Sequence, residues 1–138
     1  MRAEAVFVPV AVLALWTGVV LLIVGGSRIQ AVRAGRVTAN AFSFGESPEV
    51  PPEVSLVNRN LMNLLEMPML FYVACIAFYA TGHVDRGVLA LAWRFVALRL
   101  VHSMIHLTWN HILSRLAVFG LSNFVLLAIW ILFLARVA

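Results

Sequence analysis

The chain has no lysine, a single cysteine and only six acidic residues among 138. Each scarcity removes a class of function. One thiol, Cys75, cannot close a disulfide within the chain, so no disulfide scaffold is possible. Cys75 lies deep in an apolar stretch, where a thiol is ordinarily inert rather than nucleophilic. All ten basic residues are arginine. They are scattered, and several fall inside apolar segments, unlike the clustered basic surface that grips nucleic acid, so no nucleic-acid partner is expected. The sequence has no internal repeat and no low-complexity tract. Acids are almost absent from its long apolar runs, and the one exception is Glu66.

Hydrophobic residues dominate, at 63%, against about 45–50% apolar in a soluble domain. Four apolar stretches are read, roughly 5–26, 56–80, 88–109 and 116–134, each near the ~20 residues that cross a bilayer as a helix. The expectation is one four-helix transmembrane domain over 1–138, all-α and up-down-up-down. The first stretch is longer than a signal-peptide core and has no clear cleavage site, so it is read as a retained helix. Arg28, Arg33 and Arg36 follow it closely, whereas only Arg2 precedes it. The excess of positive charge places the 27–58 loop in the cytoplasm and both termini outside. Within that loop, 40–52 reads as irregular because of Gly45, Pro48, Pro51 and Pro52. Pro51, Pro52 and Glu53 also fit the start of the next helix, and Glu46, Glu49 and Glu53 are expected to be solvated. The short polar turn at 81–87 makes the second and third spans antiparallel neighbours, with His83 and Asp85 as solvated turn residues. Pro68, inside the second span, predicts a kink or a freed carbonyl. Trp16 and Thr17 are ordinary residues for a membrane helix.

Two spans carry polar residues in a pattern. On the second, Arg59, Asn63 and Glu66 recur at i, i+4 and i+7, one helix face. On the third, Arg99, His102 and His106 recur at i, i+3 and i+7, again one face, whereas Arg94 falls on another side and snorkels or pairs elsewhere. Counting about 1.5 Å per residue from the cytoplasmic border puts Glu66 roughly 10 Å and Arg99 roughly 15 Å deep. Each charge is costly alone in lipid, so the two are expected to pair. Two readings stay open for these stripes. They glue helices together, as interhelical polar contacts do at about 0.6–2 kcal/mol each, or they line a ligand pocket open to the cytoplasm. His102 and His106 at i, i+4 suit a metal geometrically, but two ligands are too few for a closed zinc site, and no metal is expected.

These residues resemble the MAPEG family, the membrane-associated proteins in eicosanoid and glutathione metabolism, in its bacterial branch. The family's second helix carries Arg, Asn, Glu and Pro in the spacing of Arg59, Asn63, Glu66 and Pro68. Its third carries an Arg and two polar residues four apart, matched by Arg99, His102 and His106. A further Arg near the start of its fourth helix is matched by Arg115. The similarity covers nearly the whole chain. It implies a homotrimer of four-helix subunits, in this branch in a bacterial inner membrane, with sites between subunits near the cytoplasmic face. It implies glutathione as co-substrate and a lipophilic small-molecule electrophile arriving from membrane lipid, hence a transferase or peroxidase. Arg59, Asn63, Glu66, Arg99, His102 and His106 would hold the tripeptide, and Arg115 would favour the thiolate, with Arg28, Arg33 or Arg36 closing over the site. The alternative is a bundle of the same fold kept for lipid or protein interaction without catalysis. The sequence departs from the family's transferases at His106, where they often have Tyr, and at Met62, where some have Arg.

Overall fold

The structure, a computed structural model, describes residues 2–43, 45 and 47–138; Glu46 lies outside them. After a short 3-10 turn over Ala3–Val6, four long helices follow: α1 (Phe7–Arg33), α2 (Pro52–Ala80), α3 (Arg86–Leu107) and α4 (Ile112–Val137). Each is long and apolar enough to cross a membrane. Large apolar side chains cover the outside of the chain, among them Leu22, Leu116, Phe124 and Ile131, which in water would be an aggregating surface. The protein is an integral membrane protein, an all-α four-helix bundle.

The helices outrun the apolar stretches because their polar ends have good reasons to stay helical. α1 continues through Arg28 to Arg33 and stops at Gly35, which takes φ +68°. There Gly35 N–H donates to the Val32 carbonyl and Arg36 N–H to Ala31, both at 3.0 Å, the paired bonds of a Schellman stop. The end of α2 repeats the device, with Gly82 at φ +71° and His83 N–H donating to Phe78. α2 begins at Pro52, whose missing N–H would have been unsatisfied in a first turn anyway. It runs without a break through the buried Pro68, which cannot donate to the Leu64 carbonyl one turn back.

Contacts between helix ends show the antiparallel arrangement. Phe7, at the start of α1, meets Tyr79, at the end of α2, with ring centroids 4.9 Å apart. At the other end Arg28 Nη2 donates to Asn58 Oδ1 at 3.1 Å. The core between them is aromatic and aliphatic: Leu13, Val20, Leu64, Phe71, Phe78 and Phe95 are all buried, and Phe71 stacks on Phe95 at 4.6 Å. A polar clamp crosses this core. Ser103 Oγ, fully buried on α3, accepts from Trp16 Nε1 of α1 at 2.9 Å and from Asn60 Nδ2 of α2 at 2.7 Å. Trp16 is therefore more than an ordinary lipid-facing residue. A smaller cluster of Ala31, Val37, Val50 and Val54 holds the 34–51 connection onto α1 and α2.

Two acids expected to be solvated are exposed at their side chains and also have partners. Glu53 forms an ion pair with Arg36. Asp85 caps α3 by accepting from Val88 N–H at 2.8 Å, and it meets Arg136 Nη2 at 2.6 Å while Arg136 Nη1 donates to the His83 carbonyl. The turn is thereby tied to the end of α4. The Val88 N–H first, and Arg136 second, hold the Asp85 carboxyl below the usual carboxylate range. A carboxyl that binds its proton less tightly when folded contributes stability above its unfolded pKa of about 3.9 and loses it as pH falls through the folded value. Asp85→Ala should therefore cost about 0.5–2 kcal/mol at neutral pH, as lost helix caps do. The difference from the wild type should close in strong acid. Thermal melts in detergent at both pH values check this; an equal gap at both would remove the titration from the account.

Candidate functional site

α2 turns its buried stripe, Asn60, Leu64, Pro68, Phe71, Cys75 and Phe78, into the bundle. That rotation decides where the polar triplet goes. Asn63 is half-buried beside the stripe, and Arg59 and Glu66 fall on the outer side of the chain. On α3 the polar residues are the interior ones: Arg99 is 0% exposed, and His102 and His106 are 2% exposed each. The two stripes therefore do not face each other squarely.

Arg99 and Glu66 form no ion pair within the chain. Of the described residues only Arg36–Glu53 and Asp85–Arg136 do. Arg99 instead sits in the seam between α3 and α4. Its Nη2 donates to Asn123 Oδ1 at 3.1 Å. Its guanidinium lies 5.3 Å from the Phe95 ring centroid and 5.0 Å from that of Phe119, an arrangement that stabilises a cation against π faces. Its Nε and Nη1 are buried without a partner among the described residues.

Arg115, at the start of α4, meets the last turn of α3. Its Nη1 donates to Asn110 Oδ1 at 2.7 Å and stands 3.3 Å from His106 Nε2. A guanidinium has no acceptor, so His106 Nε2 must accept and the imidazole carries its hydrogen on Nδ1. That Nδ1 is buried and has no partner among the described residues. His102 and His106 meet edge to face, centroids 5.8 Å apart. Among the described residues no three His, Cys, Asp or Glu side chains converge as a metal-ligand group would.

Two cavities open at this end. One, of about 420 Å³, has Arg59 and His106 in its wall together with Pro52 and Ser55 from the start of α2. The other, of about 220 Å³, is walled by Asn63, His102, Arg115 and Phe119. Five of the seven sequence-predicted site residues thus border two adjacent openings, Arg99 is enclosed, and Glu66 lies on the outer surface. Arg28, Arg33 and Arg36 border neither opening. Sequence reasoning missed Asn110, which anchors Arg115, and gave Asn123 no role although among the described residues it is the one hydrogen-bond acceptor that meets Arg99. An asparagine in a tight interhelical turn is a fair signal, because Asn is enriched in the left-handed conformation such turns need.

A four-helix membrane bundle with arginines and histidines gathered at one end defines the class of protein. Its sequence is that of a MAPEG protein: the MAPEG family model matches residues 6–135, and the chain belongs to that family. Neither the curated proteins nor the solved structures gave a match.

Proposed function

We propose that this protein is a glutathione-dependent transferase or peroxidase acting on lipophilic electrophiles within the membrane, as a homotrimer. The observation that carries the reading is the set of unmatched donors along the last turns of α3. Arg99 Nε, Arg99 Nη1 and His106 Nδ1 are buried without partners among the described residues, and Arg59 and Arg115 border the neighbouring cavities. Buried polar groups almost always find a partner. A molecule with two carboxylates suits this donor-rich site, since arginine forks bind carboxylates in charge-assisted pairs. Glutathione has two carboxylates, one ammonium and a thiol. The arginines and His106 would take the carboxylates, Glu66 would take the ammonium, and Asn63 and His102 would complete the peptide site. As a thiolate, its sulfur is the nucleophile, and Arg115 is the cation assigned to favour that form.

The exposed side of α2 supports assembly. Met62, Leu65, Met69, Val73 and Ile76 form an outward apolar stripe with Glu66 in its middle. A carboxylate facing lipid at mid-span is costly and seeks a partner or a wet crevice, and a second copy of the chain would provide that cover. The alternative reading, a bundle kept for interaction without catalysis, is favoured by one observation: Arg99 is sealed against Phe95 and Phe119, as a purely structural cation would be.

Glutathione titrated into the detergent-solubilised protein should raise its melting temperature, since a ligand at 100 times its Kd adds about 2.7 kcal/mol to the stability of the state it binds. It should also produce ultraviolet thiolate absorbance at neutral pH. A melting temperature unmoved by glutathione, with no thiolate signal, removes the reading in favour of the interaction protein. A shift without a thiolate signal keeps binding and removes the catalysis.

A further inference from the structure

We infer that Asn110 is a positioning residue for Arg115, holding the guanidinium in the smaller cavity's wall from a turn whose backbone conformation would ordinarily select glycine. Among the described non-glycine residues, only Asn110 has a positive φ, +45°. Glycine adopts that conformation without steric cost, and asparagine is one of the few residues that tolerates it. The backbone requirement is local: Asn110 N–H donates to the Ile105 carbonyl at 2.8 Å and closes the end of α3. Glycine could make that bond equally well. What asparagine adds is its side-chain carbonyl, and that oxygen accepts from Arg115 Nη1 at 2.7 Å.

The consequence for Arg115 follows from its donor count. A guanidinium has five N–H groups in a rigid fork. Both hydrogens of Nη1 are engaged, one toward Asn110 Oδ1 and the other toward His106 Nε2. Among the described residues no other hydrogen bond of this side chain is made. Nε and Nη2 therefore remain available where Arg115, Asn63 and His102 wall the cavity. Long arginine side chains have considerable rotamer freedom, and a site that stabilises a developing anion works by donors fixed beforehand. Asn110 fixes one end of the fork and leaves the other for a ligand. Because it touches the guanidinium and not the reacting sulfur, it acts through Arg115. The inference rests on the glutathione reading for its catalytic meaning, but the anchoring itself is a property of the chain alone.

Asn110→Gly is the discriminating variant, since it keeps the turn and deletes the side-chain carboxamide that holds Arg115. In the full chain in detergent, the melting temperature should hold or rise. The rate at which phenylglyoxal modifies Arg115, read from the Arg115 peptide by mass spectrometry, should increase several-fold, with buried Arg99 as the unchanged control. Asn110→Asp, which keeps an acceptor and tolerates the turn, should return the rate to the wild-type level or below. Bound glutathione should show several-fold less thiolate in Asn110→Gly, and that variant should have no further effect in an Arg115→Leu background, as coupled residues require. An Arg115 modification rate unchanged by Asn110→Gly overturns the inference, and so does a rise shared by Arg99, which would mean general loosening. A wild-type protein that gives no thiolate signal removes the proposed function instead, and the modification rates then decide the anchoring alone.

Discussion

Replacing Arg115 by Leu should lower turnover with glutathione about 10- to 30-fold at neutral pH, and the loss should fade as pH rises. An ordinary thiol has a pKa near 8.5, so only about 3% of it is thiolate at pH 7. A fixed cation beside it favours the anion and lowers that value by about one to three pH units, which raises the thiolate fraction about 10- to 30-fold. Without the cation, the sulfur must be deprotonated by solvent, and the thiolate fraction reaches the wild-type level only above pH ~8.5. The expected signature is a pH–rate profile displaced toward alkali, with turnover reduced and KM for glutathione little changed, because a group acting on the sulfur affects the reaction more than the binding. Arg59 and Arg99, assigned to the carboxylates, should show the opposite split, with KM raised first. If Arg115→Leu lowered turnover by the same factor at all pH values, Arg115 would be stabilising something other than the thiolate. If it raised KM alone, it would be a binding residue.

Much of this architecture was legible in the sequence, and the illegible part has a physical cause. Four apolar stretches near bilayer length announced four helices, because only closed hydrogen-bonding structures cross lipid. Helix ends were harder. The expected second span began at residue 56, but the helix starts at Pro52, since a proline pair is as good an opening for a helix as an ending for a loop. The family resemblance supplied Arg115, whereas periodicity grouped Arg59, Asn63 and Glu66 on one face of α2 and Arg99, His102 and His106 on one face of α3. Periodicity does not say how each helix is rotated about its axis, and the Glu66–Arg99 pairing failed for that reason. The packing of Leu64, Pro68 and Phe71 turns Glu66 outward, while α3 turns Arg99 inward to Phe95, Phe119 and Asn123. Rise per residue orders positions along a helix axis but carries no information on azimuth. The same gap hid the Trp16–Ser103–Asn60 clamp, whose members lie on three different helices and share no sequence spacing.

Arg99 yields the second large effect, and its two neighbouring variants should move stability in opposite directions. A cation enclosed by protein has lost its hydration, and here, among the described residues, one hydrogen bond to Asn123 and two aromatic faces replace it. Replacing buried charged groups by apolar ones of similar volume is often neutral or stabilising by about 1–4 kcal/mol. Arg99→Met should therefore raise the melting temperature of the ligand-free protein, since methionine fills the same irregular seam without an unmatched donor. Asn123→Leu should do the reverse. It leaves the guanidinium in place and removes its acceptor, at about 1.5–3 kcal/mol for a hydrogen bond to a charged group. The double variant should recover the stability of Arg99→Met, because the loss at Asn123 exists only while the charge is there. Why, then, would a chain retain a destabilising arginine? On the proposed function, the two orphaned donors are kept for a carboxylate, and Arg99→Met should abolish the melting shift that glutathione produces even as it stabilises the protein alone. A site that lowers stability in order to bind is a common compromise. Unfolding of Arg99→Met, or an unchanged glutathione shift in that variant, would instead make Arg99 a structural cation and leave the site to Arg59, Asn63, His106 and Arg115.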